Sequence, residues 1–181
     1  MIDARLQLAL DGGGLELPAE GTIAVFQPPR DSDLPGLDND RVQIIHDFKP
    51  DYDAWAARGY DVVRTIKDRY AACIVCLPRA KAEARAVIAA ACEVCDGIVV
   101  IDGQKTDGAD SVLREMRDRV TVQGPISKAH GKMFWISEPA LATSRCAADA
   151  RLGWGLPRIG TRAVDSCISC AAASPMARRK E

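Results

Sequence analysis

The first apolar residues of the chain recur at intervals that favour a helix. Ile2, Leu6, Ala9 and Leu10 fall on one helical face, and a run of glycines follows them and would end a helix. Leu6, Leu8 and Leu10 also alternate, so a strand is the alternative. The spacing predicts a short first helix.

Further along, short apolar runs alternate with amphipathic or alanine-rich segments. The runs predict strands at residues 22–26, 42–46, 62–66, 71–77, 98–101 and 132–136. The segments between them predict helices at residues 50–58, 80–95 and 109–119, with Gly97 ending the second of these. Strands that alternate with helices predict an α/β fold with a mainly parallel sheet and helices on both faces. Such folds bind ligands at the carboxyl ends of their strands.

The pattern fails after Ser137. Residues 138–181 contain ten alanines and three cysteines, with no sustained helical or alternating stripe. We therefore predict one domain over residues 1–137 and a poorly ordered tail over residues 138–181. One hypothesis is that a frameshift or early stop has replaced a longer natural C-terminus.

Composition and charge narrow the class of protein. The chain has 181 residues, 48% of them hydrophobic, which is enough to bury a core, and its net charge of −1 gives no general reason to bind nucleic acid. No apolar run is long enough to cross a membrane, and the N-terminus lacks the pattern of a signal peptide. Seven cysteines, an odd number, argue against a disulfide framework. We expect a cytoplasmic protein with no membrane partner.

Four cysteines have the spacing of a zinc site. Cys73 and Cys76 form one C-x2-C pair, and Cys92 and Cys95 form a second pair 15 residues later. Cys73 and Cys76 lie inside a predicted strand, where residues i and i+3 point to opposite faces, so their sulfurs should diverge. We predict core packing for these thiols, with a zinc-clipped α/β interaction module as an alternative.

Basic residues gather where predicted strands begin or end. They are Arg79, Lys81, Lys105, Lys128, His130 and Lys132. In a parallel sheet Arg79, Lys81 and Lys105 would share the carboxyl edge, where Lys and Arg can hold RNA phosphates. Ion pairing with the neighbouring Asp102, Asp107 and Asp110, or simple solvation, is the alternative role.

Two segments superficially resemble a site for a methyl donor and an acceptor amine. Such a site needs glycines after a strand, for close approach to the cofactor, and acceptors that align the amine. The weak candidates, regarded as relics, are Asp11, Gly12, Gly14, Gln27, Pro28 and Pro29. The glycines follow a predicted helix, and residues 27–30 (QPPR) lack the Asn and the aromatic residue of an amine-positioning motif. We predict that neither segment binds a cofactor.

Three segments, residues 77–84, 100–111 and 127–135, resemble in order and spacing the N-terminal domain of the ribosomal RNA small-subunit methyltransferase C family, the 16S rRNA guanine-N2 methyltransferases. The resemblance implies a degenerate class I methyltransferase-like (Rossmann-like) domain that has lost its cofactor site and supports folding and rRNA recognition. In that family a second domain binds S-adenosylmethionine and carries an Asn-Pro-Pro-aromatic motif, which residues 138–181 lack.

The sequence therefore predicts a non-catalytic N-terminal scaffold or RNA-recognition module, truncated or separately encoded from its catalytic half. Its expected partners are rRNA or the 30S subunit and a methyltransferase catalytic domain. We expect no catalytic residue, no metal and no cofactor in this chain. The alternative enzyme is a small stand-alone S-adenosylmethionine-dependent methyltransferase that uses residues 11–14 and 27–30.

Overall fold

A computed structural model describes residues 2–139, in which four α-helices and seven strands form one sheet with two helical layers. In chain order the elements are α1 (Asp3–Leu10), β1 (Ile23–Phe26), β2 (Val42–Ile45), α2 (Lys49–Ala57), β3 (Asp61–Val63), β4 (Tyr70–Cys76), α3 (Lys81–Val94), β5 (Cys95–Gln104), α4 (Ala109–Arg117), β6 (Gln123–Lys128) and β7 (Gly131–Ile136). Apart from residues 138 and 139, the predicted tail lies outside the described residues. Within residues 2–139, no helix has the length and apolarity needed to cross a membrane.

The strand order across the sheet is β3-β2-β1-β4-β5-β7-β6. The first five strands run parallel to one another, and β7 is antiparallel to both β5 and β6. The chain moves outward from β1 to β3 and then returns to place β4 on the other side of β1, so the order reverses between β1 and β4. The prediction of a mainly parallel α/β sheet is confirmed.

Each face of the sheet has its own hydrophobic core. On one face α1 and α2 bury residues such as Leu6 and Trp55 against the sheet. On the other face α3 and α4 bury residues such as Ile88 and Val112. Because the central strands are covered on both sides, their sequences are almost continuously apolar.

The sequence did not predict β6, which pairs with β7 as a hairpin. Lys128 is paired with Gly131, so the turn between the strands consists of Ala129 and His130, with φ angles of 49° and 56°. Two successive positive φ angles are those of a type I′ turn, which has the right-handed twist of the strands it joins.

The prediction that Gly97 ends a helix is wrong. Helix α3 ends at Val94, and β5 begins immediately afterwards at Cys95, so Gly97 lies inside a strand. A side chain at Gly97 would meet the backbone carbonyl of Ala71, which comes too close to leave room for a Cβ. Close approach of the backbone, rather than a helix stop, explains this glycine.

Candidate functional site

Most of the predicted site residues lie along the carboxyl edge of the parallel strands. The β6–β7 turn also reaches this edge, because Gly131 at the start of β7 is paired with Gln104 at the end of β5. A turn of 3-10 helix, Lys105–Asp107, follows β5 directly. The backbone amide of Lys105 donates to the carbonyl of His130 at 2.9 Å and joins this turn to the hairpin.

An open hollow of about 440 Å³ lies between the hairpin and the end of β5. Four of the six predicted basic residues line it: Lys105, Lys128, His130 and Lys132. Asp110, Ser127 and Gly131 complete the lining. We call this feature the basic hollow. Its cationic groups suit an anion such as a phosphate group.

One carboxylate partly neutralises the basic hollow. Lys132 Nζ lies 2.5 Å from Asp110 Oδ1. The hydrogen bond from Lys132 lowers the pKa of Asp110, and the charges of Lys105 and Arg114 add to this effect. Asp110 is therefore ionised at neutral pH and acts as an internal counter-ion for the surrounding cations.

The two remaining basic residues lie outside the basic hollow. Arg79 is 87% exposed, with Nε 3.7 Å from Asp107 Oδ1. Lys81 turns towards α4, where Nζ lies 2.5 Å from Glu115 Oε1 and 3.0 Å from Ser111 Oγ. Arg79, Lys81 and Lys105 therefore do not form the single cluster that the sequence predicts, because Lys81 pairs with residues of α4.

A buried ion pair lies beneath the basic hollow and contacts the hairpin that forms one side of it. Arg5, with 0% exposure, donates from Nε and Nη2 to the two carboxylate oxygens of Asp102, at 2.5 and 2.8 Å. Its third nitrogen, Nη1, donates to the carbonyl of Lys128 at 3.0 Å. Gly131 packs against the guanidinium so closely that a Cβ there would lie 2.7 Å from Arg5 Cζ. Helix α1 therefore fixes the tip of the hairpin.

The loop after β1 occupies the place where Rossmann-like folds bring backbone amides to a cofactor. Here it reads Gln27-Pro28-Pro29, and neither proline has an amide to donate. Trp55 Nε1 donates to the carbonyl of Pro28 at 2.9 Å, while Gln27 Nε2 lies 3.4 Å from Glu83 Oε1. These residues do not fit the backbone cradle that a methyl donor requires, because none of residues 27–29 is glycine and two of them have no amide to donate.

The relic candidates Asp11, Gly12 and Gly14 lie elsewhere, after α1 and before β1. Asp11 Oδ2 accepts a hydrogen bond from Gln7 Nε2 at 2.7 Å, within the end of the helix. The amide of Gly13 donates to the carbonyl of Leu8 at 3.1 Å. The glycines end a helix, as the sequence predicts, and do not follow a strand.

Asp47 is a residue that sequence reasoning missed. It is exposed directly after His46 at the carboxyl end of β2, where dinucleotide-binding folds place an acid about 20 residues after the first glycine loop. An acidic residue after the second predicted strand was the available signal. Asp47 thus occupies the position of that acid, beside a β1 loop that does not fit a nucleotide cofactor.

The four candidate metal-binding cysteines do not converge. Cys73, Cys92 and Cys95 belong to the core on one face of the sheet, and Cys76 belongs to the core on the other. A hydrogen bond to Cys95 and burial raise the pKa of Cys73, and burial raises the pKa of Cys76. Metals bind thiolates, so the protonated thiols of Cys73 and Cys76 are poor ligands. The hydrogen bond with Cys73 lowers the pKa of Cys95. Residues 2–139 contain no group of three or more His, Cys, Asp or Glu side chains arranged to hold a metal.

No protein-family model matches this chain, and no curated protein matches it by sequence. Several solved structures share its fold. A putative methyltransferase from Pseudomonas syringae superimposes with a TM-score of 0.57 at 9% identity, over 74% of this chain and 96% of that one. Thermoplasma acidophilum 1320 gives 0.52 at 13% identity, over 74% and 86%.

The 16S rRNA N2 methyltransferase RsmC of T. thermophilus, solved with AdoMet and guanosine, gives a TM-score of 0.53 at 15% identity. The match covers 75% of this chain but only 39% of that protein. Similarity at these identities establishes the fold alone. Residues 2–139 have a Rossmann-like methyltransferase fold, as predicted.

Proposed function

We propose that residues 2–139 form a non-catalytic module that recognises structured RNA and supports a methyltransferase catalytic domain acting on rRNA. The observation that carries the proposal is the basic hollow, which lies on the ligand-binding edge of a methyltransferase fold. Lysines at such an edge supply affinity for phosphates without reading sequence. The proposed partners are rRNA or the 30S subunit, and a catalytic domain that supplies the methyl-donor site.

The β1 loop supports the non-catalytic part of the proposal. A donor site needs backbone amides close to the cofactor, and Pro28 and Pro29 have none. Calorimetric titration with S-adenosylmethionine is therefore expected to show no binding. Binding at micromolar concentrations would refute this part and favour the alternative, a stand-alone methyltransferase.

The RNA-binding part is tested by removing the hollow's lysines. A variant with Lys105→Ala, Lys128→Ala and Lys132→Ala should bind a 16S rRNA fragment more weakly. If each lysine contacts one phosphate, the slope of log affinity against log salt should fall by about 2 to 3. The matched control is Lys49→Ala with Lys67→Ala, which removes exposed lysines remote from the hollow. Unchanged affinity and slope in the triple variant would refute RNA binding at this edge.

A further inference from the structure

The basic hollow continues onto an exposed side of α4. Asp110, in the first turn of α4, contacts Lys132, and Arg114 follows it one turn later. Arg114 and Arg117 are both exposed, whereas Val112 and Met116 on the other side of the helix are buried. At 1.5 Å per residue, the stretch from Asp110 to Arg117 extends the surface by about 10 Å. We call the hollow together with Arg114 and Arg117 the basic track.

The described part of the chain exposes no Phe, Tyr or Trp side chain near the basic track, whose aromatic ring is the imidazole of His130. Tyr70, Phe134 and Trp135, the aromatics on β4 and β7, are at most 2% exposed. Phe48 is 59% exposed, but it follows β2, which lies four strands from β7, or about 19 Å across the sheet. Proteins that hold single-stranded nucleic acid usually stack its bases on aromatic side chains. Apart from the small ring of His130, the track offers charge without such a platform.

Charge also separates Phe48 from the basic track. Residues 23–63, which include β1, β2 and β3, carry eight acidic and four basic residues, whereas residues 105–132 carry four acidic and six basic residues. An RNA strand that reached Phe48 would cross a net negative surface. The exposed aromatic therefore does not extend the track.

The hairpin tip has the properties of a rigid projection. Its turn has two residues, and Arg5 holds the Lys128 carbonyl from the buried side. Ser127, in the lining of the basic hollow, adds a hydroxyl that can donate or accept a hydrogen bond. Duplex RNA is recognised mainly by its shape, through phosphates and 2′-hydroxyls, because side chains cannot read its deep major groove.

We infer that the basic track binds double-stranded RNA through its backbone, in preference to single-stranded RNA. The inference rests on the proposed function and specifies the class of RNA. Lysines and arginines contact phosphates along the track, and the hairpin tip lies against the shallow groove, where Ser127 is within reach of 2′-hydroxyls. Discrimination among base sequences is not expected, because side chains cannot enter the deep, narrow major groove of an RNA duplex.

Fluorescence anisotropy with the full chain tests this inference. The first probe is a blunt-ended RNA duplex of about 16 base pairs. The second is one strand of that duplex, alone and altered so that it cannot pair with itself, and the third is a DNA duplex of the same sequence as the RNA duplex. The RNA duplex should bind at least about tenfold more tightly than the single strand, and more tightly than the DNA duplex. Two duplexes of different sequence should bind equally.

Two variants locate the binding surface. Arg114→Ala with Arg117→Ala should weaken duplex binding and reduce the salt slope by about 1 to 2, because each arginine meets a phosphate. Asp110→Asn removes the internal counter-ion and should tighten duplex binding by roughly two- to fivefold. Far-UV circular dichroism checks that each variant is folded.

Three other outcomes would each contradict one claim: the preference for duplex RNA, RNA binding itself, or the position of the binding surface. If the single strand binds as tightly as the RNA duplex, the inference about duplex RNA is wrong while the proposed RNA-binding function stands. If no RNA binds, the proposed function itself fails. If Asp110→Asn weakens binding in a folded protein, RNA does not contact the surface around Lys132.

Discussion

Replacing Arg5 with methionine removes one partner of the buried ion pair beneath the hairpin. Methionine keeps most of the side-chain volume but cannot donate hydrogen bonds. The substitution leaves the Asp102 carboxylate, which is 4% exposed, without its bidentate partner. It also removes the donor that holds the carbonyl of Lys128.

The expected loss of stability is large. Breaking a buried pair by removing one partner costs about 3–5 kcal/mol, and a lost hydrogen bond to a carbonyl adds about 1 kcal/mol. A domain of this size has a free energy of unfolding of about 5–15 kcal/mol, so Arg5→Met should remove roughly a third or more of it. Arg5→Met combined with Asp102→Leu should recover most of that loss, because an apolar pair of similar volume needs no charge partner.

Stability and RNA binding should separate in the double variant. The apolar pair restores packing, but the hydrogen bond from Arg5 to the Lys128 carbonyl is not restored, so α1 no longer holds the hairpin tip. We expect near-normal stability together with weakened binding of the RNA duplex. Urea unfolding followed by tryptophan fluorescence gives the first quantity, and anisotropy gives the second. Arg41→Met is the matched control, because Arg41 donates hydrogen bonds to backbone carbonyls, those of Gly21 and Pro18.

Two results would refute this reasoning. If Arg5→Met changes the free energy of unfolding by less than about 1 kcal/mol, the ion pair does not contribute as a buried pair should. If the double variant is stable and also binds duplex RNA with normal affinity, Arg5 does not position the hairpin.

Three further substitutions test individual features. Gly131→Ala would place a methyl group 2.7 Å from Arg5 Cζ, and we expect a cost of about 1–3 kcal/mol in urea unfolding; a loss below about 0.5 kcal/mol would contradict the close contact. Ala129→Asn should stabilise the protein by roughly 0.5–1 kcal/mol, because asparagine tolerates the positive φ of a type I′ turn better than alanine; destabilisation would count against the turn geometry. Burial lowers the pKa of His46, although the Asp51 carboxylate opposes this. As the pH falls, the unfolded chain therefore binds a proton at this histidine at a higher pH than the folded protein does. The free energy of unfolding thus falls as the pH drops below about 6.5. His46→Asn should flatten that dependence between about pH 7.5 and pH 5.5, and an equal slope in both proteins would rule out His46 as its source.

The central strands were predictable because strands that are buried on both faces have almost continuously apolar sequences. Residues 71–77 and 98–101 are almost continuously apolar, and they lie within or next to β4 and β5, which are covered on both faces. The divergence of Cys73 from Cys76 followed from the same geometry, since strand residues three positions apart face opposite ways.

The hairpin was not predictable on the same grounds. Strand β6 lies at the edge of the sheet, and its sequence QGPISK has no alternation and contains proline. The turn residues Ala129 and His130 give no signal, because type I′ turns are recognised by Asn-Gly or Asp-Gly. The pairing of Arg5 with Asp102 joins residues 97 positions apart, and no local pattern specifies it. Sequence therefore identified the lysines of the basic hollow but not the contacts that arrange them.

The division of charge along the sheet has a consequence for how the molecule meets a polyanion. Residues 23–63, which include β1, β2 and β3, are net negative, and residues 105–132, which run from the end of β5 into β7, are net positive. Strand β2 lies about 19 Å from β7. In the field of an RNA these two parts of the described chain experience opposite forces, which favours encounters in which the hairpin leads. Productive encounters then become more frequent at low ionic strength, and added salt slows association more than it speeds release.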